Sequence, residues 1–194
     1  MAEVSELMNA LYRDEQSAVE QLLGADPELD VFEAAALGRS RRVSELLERD
    51  PALARALAPD GFTALHLVAF FSHDVESARL LVAAGADPGM PAQNAMAVTP
   101  LGSAAARGAR AIAVLLLDAG ADVAIAQHGG YTPLHSAGAN GDSELVELLL
   151  ARGADPAAPA DDGRTPAAVA REREHSAVAE VLDAAAASDA GARG

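Results

Sequence analysis

A motif that returns at a fixed interval constrains this chain more than any other feature. Four segments align: TALHLVAFFSH from Thr63, TPLGSAAARGA from Thr99, TPLHSAGANGD from Thr132 and TPAAVARERE from Thr165. Their starts lie 36, 33 and 33 residues apart. A second signature follows each of the first three: LLVAAGAD ending at Asp87, LLLDAGAD ending at Asp122 and LLLARGAD ending at Asp155. A unit this short cannot shelter its own apolar face, so copies must stack on one another.

Each recurring residue has a local physical task. Thr63, Thr99, Thr132 and Thr165 suit a helix N-cap, where a hydroxyl accepts from a free backbone N–H. Pro100, Pro133 and Pro166 follow at the first helical position, where a missing N–H costs nothing. Ala104 and Ala105, like Ala34 and Ala35, allow helices to approach closely, and Gly38, Gly108 and Gly141 end the first helix. Leu145, Val146, Leu148 and Leu149 show the helical spacing of a second, amphipathic helix. Gly85, Gly120 and Gly153 stop it in a left-handed conformation.

These two motifs in fixed order resemble the ankyrin repeat family, whose period and T-P-L-H-x-A pattern they share. The resemblance implies an all-α ankyrin-repeat solenoid of helix-turn-helix units joined by hairpin-like fingers. About six units are expected. Residues 1–28 form a degenerate N-terminal capping pair and 29–57 a degenerate repeat, which keeps Ala34, Ala35, Gly38 and Leu46–Leu47 but lacks the Thr-Pro cap. Repeats follow at 58–92, 93–126 and 127–159. Residues 160–183 form a C-terminal cap, made polar by Arg171, Glu172, Arg173 and Glu174, and 184–194 a disordered tail. End units of a solenoid are expected to be atypical because one side meets water.

The step of 36 marks an irregular repeat. Thr63 to Gly85 spans 22 residues against 21 in the next two repeats, so one extra residue lies in the helical part, near Ser72 to Ser77. Gly85 to Thr99 spans 14 against 12, so two more lie in the finger PGMPAQNAMAV. The lengthened finger reads either as drift in a tolerant loop or as a reach toward a partner. Met90 and Met96 favour the reach, since flexible Met suits binding surfaces.

The same repeat holds Phe62, Phe70 and Phe71, three of the six aromatic Phe and Tyr residues. The family resemblance places the residue before the motif Thr, and the two before the turn, on the concave groove. Those positions are Phe62, Phe70 and Phe71; Val98, Ala106 and Arg107; Tyr131, Ala139 and Asn140; and Arg164, Glu172 and Arg173. Aromatic and Arg side chains are the usual interface anchors. The expected partner-binding set is therefore Phe62, Phe70, Phe71, Met90, Met96, Arg107, Tyr131, Asn140 and Arg164. The competing reading turns Phe70 and Phe71 inward to fill the irregular repeat, and for at least one of them that outcome is expected.

Composition narrows the partner. The formal charge is −15, from 29 acidic and 14 basic residues, and none of the basic ones is Lys. Such a surface repels phosphate backbones and anionic membranes, so neither nucleic acid nor a membrane is expected as a partner. No apolar run approaches a membrane span, and the acidic start MAEVSELMNALYRDEQ does not read as a secretory signal. With no Cys, disulfides and thiolate chemistry are absent. A cytoplasmic, monomeric protein is expected.

No catalytic constellation stands out. His66 and His135 hold the His of the motif, which in the family hydrogen-bonds neighbouring backbone. They lie two repeats apart, and each helix layer adds roughly 8–10 Å, too far for one metal ion. His73 and His128 read as exposed. No nucleophile elbow, zinc-binding helix or phosphate loop occurs. No cofactor and no enzymatic activity are expected. The chain thus reads as a non-catalytic module that binds a partner protein with a basic patch. Two alternatives stand beside this: a small-molecule binder or enzyme with a site under the finger at 86–98, and a homo-oligomer.

Overall fold

The computed structural model describes residues 3–192. It is all-helical, with no strand among the described residues. Six helix pairs succeed one another: α1 (Glu6–Tyr12) with α2 (Gln16–Gly24), α3 (Val31–Ala36) with α4 (Ser40–Arg49), α5 (Ala64–Leu67) with α6 (Val75–Ala83), α7 (Pro100–Arg107) with α8 (Arg110–Asp118), α9 (Pro133–Ala139) with α10 (Ser143–Ala151), and α11 (Pro166–Glu172) with α12 (Ser176–Ala192). The first helices of successive pairs stack along one layer, and α4, α6 and α8 stack in a second. The architecture is an ankyrin-type α-solenoid.

Helix starts follow the caps. The hydroxyls of Thr99 and Thr165 accept from the N–H groups of Gly102 and Ala168. In the second pair, which lacks Thr-Pro, Asp30 takes over, accepting from Phe32 and Glu33 while the Glu33 carboxylate accepts from the Asp30 N–H. Ala34, Ala35, Ala104 and Ala105 are fully buried between layers, and Leu65, Leu101, Leu134 and Leu149 fill the space they leave. Ion pairs tie α8 to α10: Arg110 to Asp142 at 2.8 Å, and Asp118 to Arg152 at 2.9 Å.

The extra helical residue is absorbed as a π-helical turn. After α5 the chain continues through Val68–Ser72, and the His73 N–H donates to the Val68 carbonyl five residues back at 2.9 Å. The insertion therefore falls slightly before the stretch expected for it. His73 then adopts a left-handed conformation (φ 53°), where the next two repeats place Gly108 and Gly141. Such π turns are costly and tend to occur at functional sites.

The two extra finger residues are equally well located. Each finger closes on itself through one backbone bond: Ala58 N–H to Phe62 O, Gln127 N–H to Tyr131 O and Ala160 N–H to Arg164 O, each spanning four residues. In the second finger the bond runs from Ala92 N–H to Val98 O and spans six. Neighbouring fingers also bond. The Gln93 N–H donates to Gly61 O and the His128 N–H to Met96 O, both at 2.8 Å. A Cβ at Gly61 would lie 2.5 Å from the Gln93 carbonyl oxygen, so glycine is required there.

One expectation is corrected. Residues 184–192 extend α12 rather than forming a disordered tail. The run AAAA has no apolar pattern, but alanine is the strongest helix former and needs none to continue a helix already begun. Arg193 and Gly194, like Met1 and Ala2, lie outside the described residues.

Candidate functional site

The irregular repeat builds the site. The π turn sets Phe70 and Phe71 side by side at its end, with ring centroids 5.0 Å apart and edge to face. Phe71 meets Tyr12 of α1 at 5.3 Å, and Tyr12 meets Phe62 at 6.5 Å. The Tyr12 hydroxyl donates to Asp60 at 2.7 Å, and at the far end the Arg107 guanidinium lies 4.9 Å from the Phe70 centroid. The result is a continuous row, Asp60–Tyr12–Phe71–Phe70–Arg107, with a carboxylate at one end and a guanidinium at the other.

A mainly apolar cavity of about 580 Å³ opens along this row. Phe62, Phe70, Phe71 and Tyr12 line it, together with Met96 and Val98 of the long finger and Ser103 and Ala106 of α7. Met96 is 54% exposed and Tyr12 is 40% exposed, a high value for large apolar groups facing a cavity. Ser103 is only 3% exposed, yet its hydroxyl makes no hydrogen bond within the described residues. The volume is within the range of ligand pockets, about 300–1,000 Å³.

Phe71 also faces inward. It packs with Phe62, Val4 and Leu11 against a small cluster of Met8, Ala36 and Leu67. The groove-lining and space-filling readings thus both apply to this residue.

His66 borders the cavity but is fully engaged. Its Nδ1 accepts from the Thr63 N–H at 3.2 Å and lies 2.8 Å from the Thr63 hydroxyl. Its Nε2 lies 2.9 Å from the Val98 carbonyl oxygen, which can only accept, so Nε2 carries the proton. Burial pushes the imidazole pKa down to about 4. His135 repeats the arrangement with Thr132 and with the Arg164 carbonyl at 3.1 Å, and burial lowers it too. Each histidine stitches its helix to the next finger, and its ring has no lone pair left to act as a base.

The other candidates lie outside the cavity. Tyr131 donates to Asp162 at 2.7 Å under the Arg164 guanidinium, 5.4 Å from the ring centroid. Arg164 also pairs with Glu172 at 2.6 Å and Asp162 at 2.7 Å. Its guanidinium, with the Tyr131 hydroxyl, holds the Asp162 carboxyl far below the usual carboxylate range. Asn140 donates to the Ala105 and Ala106 carbonyls, both at 3.0 Å, and so joins α9 to α7. Met90 is half-buried and does not line the cavity. Of the nine expected residues, Phe62, Phe70, Phe71 and Met96 come together, and Arg107 reaches them only through Phe70.

Tyr12 was not among the expected residues. A signal for it existed: Ser5 caps α1 through the Met8 N–H, and Tyr12 follows that cap by seven residues, as Phe70 follows Thr63. Among the described residues no group of three His, Asp or Glu side chains could hold a metal ion, and no helix is long and apolar enough to cross a membrane.

A family model described as ankyrin repeats, in three copies, matches residues 31–127 and 101–190. No curated protein matches the chain.

Proposed function

Because the chain belongs to the ankyrin repeat family, we propose that it is a non-catalytic module that grips a partner protein in the groove between its first helices and its fingers. Ankyrin repeats are generally protein-interaction modules. The observation that carries the reading is the apolar cavity under the long finger, walled by three phenylalanines and a tyrosine. Exposed aromatic and Met surface held in a rigid groove favours binding, because little ordering cost falls on this partner. The engaged state of His66 supports a non-catalytic role, since the imidazole nearest the cavity is neutral and fully bonded. The charge of −15 supports a partner with a basic patch and an association that slows with salt. The chain is read as acting as a monomer.

The test is affinity capture from a lysate with the wild-type chain and with a Phe70→Ala/Met96→Ala variant, followed by calorimetric titration of the captured protein. A loss of tenfold or more in the variant, with its fold intact by circular dichroism, is expected. Equal affinity would overturn the site.

A small-molecule binder is the second reading, favoured by the same cavity volume. A metabolite that raises the melting temperature of the wild-type chain, but not of a chain deleted for 90–96, would select it.

A further inference from the structure

The cavity has a polarity that says more about its occupant. Asp60 is the one charged residue among the described residues that line it. Its carboxylate accepts from the Tyr12 hydroxyl at 2.7 Å and from the Phe62 N–H at 3.3 Å. A carboxylate has about four acceptor sites, so two remain among the described residues. At the other end of the aromatic row, Arg107 already stacks on Phe70 and donates to the Phe70 carbonyl at 3.2 Å. A cation entering there meets a like charge, whereas at the Asp60 end it meets an opposite one.

The rings themselves do not form a sleeve for a bare cation. Tyr12, Phe71 and Phe70 are in edge contact at 5.3 and 5.0 Å and fill the space between one another. What they present to the cavity is apolar wall, continued by Met96 and Val98. Two polar groups on the lining, the Ser103 hydroxyl and the Gln127 side-chain amide, make no hydrogen bond within the described residues. Groups of this kind are available to the main chain of a bound segment, and leaving them buried and unpaired on binding would cost affinity.

Resting on the partner-binding reading above, we propose that the occupant is a short peptide segment of the partner in which a bulky apolar side chain adjoins an arginine or lysine. The apolar side chain enters against Phe62, Phe71 and Met96. The basic head turns to the Asp60 carboxylate, away from Arg107. The excess of negative charge on the chain reinforces the choice, because an acidic segment would be repelled before it reached the groove.

Selection of a displayed random peptide library on the full chain, with counter-selection on the Phe70→Ala/Met96→Ala variant, tests this. Enriched peptides are then synthesised and titrated by fluorescence polarisation. The expected peptides carry an aromatic or branched aliphatic residue within two positions of Arg or Lys. Changing that basic residue to Gln is expected to weaken binding to the wild-type chain tenfold or more. The same change should cost threefold or less on Asp60→Asn, which keeps an acceptor for Tyr12 and whose melting curve checks the fold. Ser103→Ala should weaken binding severalfold. Peptides that lose nothing on the Gln change, or lose as much on Asp60→Asn as on wild type, overturn the charge pairing while leaving the groove reading intact. Enriched peptides that bind the double variant as tightly as wild type, or no enrichment at all, overturn both.

Discussion

The Tyr12 hydroxyl lies 2.7 Å from a carboxylate oxygen of Asp60, 48 residues away in the chain. This bond ties the first helix pair to the first finger across the second pair. Partial burial and the neighbouring Asp60 carboxylate push the Tyr12 phenol well above its ordinary range, which favours the protonated, donating form. Tyr12→Phe keeps the ring and is expected to cost about 1 kcal/mol of stability, measured by urea unfolding. Tyr12→Ala also strips a wall from the cavity, and should reduce partner affinity where Tyr12→Phe changes it little.

The two adjacent phenylalanines should separate on mutation. Phe71 packs against the Met8, Ala36 and Leu67 cluster as well as facing the cavity. Phe71→Ala is expected to destabilise by about 2–3 kcal/mol, somewhat less than a fully buried ring would. Phe70 meets Phe71 edge to face and lies beneath Arg107, and it is not among the residues packed on the Met8 cluster, so Phe70→Ala should cost about 1 kcal/mol. Denaturant midpoints of the two variants decide the order, and a larger loss at Phe70 would show that the inward-facing ring has been misassigned.

His66 sets a pH dependence. Its imidazole has an ordinary pKa of 6.5 and one of about 4 in the fold. As pH falls from 6.5, the unfolded chain takes up the proton first, so stability is lost through this window and the loss ends near pH 4. The full effect is up to about 3 kcal/mol, since each pKa unit corresponds to about 1.4 kcal/mol. His135, lowered by burial as well, acts in the same direction. His66→Ala should be less stable at pH 7 and should show a flatter profile between pH 6.5 and 4, as read from urea midpoints. A slope as steep as the wild type's would remove His66 from the account.

Gly138 tests how closely the first helices pack. It sits inside α9, where alanine would gain about 1 kcal/mol of helix propensity. A Cβ there would stand 3.0 Å from the Pro166 carbonyl oxygen and 3.4 Å from Leu182 Cδ1. Neither backbone nor a fully buried leucine yields easily. Gly138→Ala should therefore destabilise by about 1–2 kcal/mol net, seen as a lower melting temperature.

The repeat motif made the fold legible, because Thr caps, Ala pairs and turn glycines each state a local conformation. Length differences located both irregularities, although spacing alone could not tell a π turn in 68–72 from a longer loop after it. The site was readable where it follows the motif, as at Phe62, Phe70 and Phe71. It was hidden where geometry decides. Tyr12 lies in a unit without Thr-Pro, and only the fold carries its ring past the second pair to Phe71. Tyr131 occupies the same register as Phe62, yet Asp162 and Arg164 engage its hydroxyl and ring. Asn140 shares a groove position, but its amide is spent on the Ala105 and Ala106 carbonyls. Register gives the face a residue occupies, and its neighbours decide what remains free.

Hydrogen–deuterium exchange on the chain, free and saturated with its captured partner, reads out which face of the solenoid the partner covers. Added protection is expected in the fingers at 58–62 and 92–98, in the π turn at 68–72 and in α7, with α4, α6 and α8 unchanged. Protection confined to those outer helices, on the side where Val114 is 38% exposed, would contradict the assignment of the groove as the binding face.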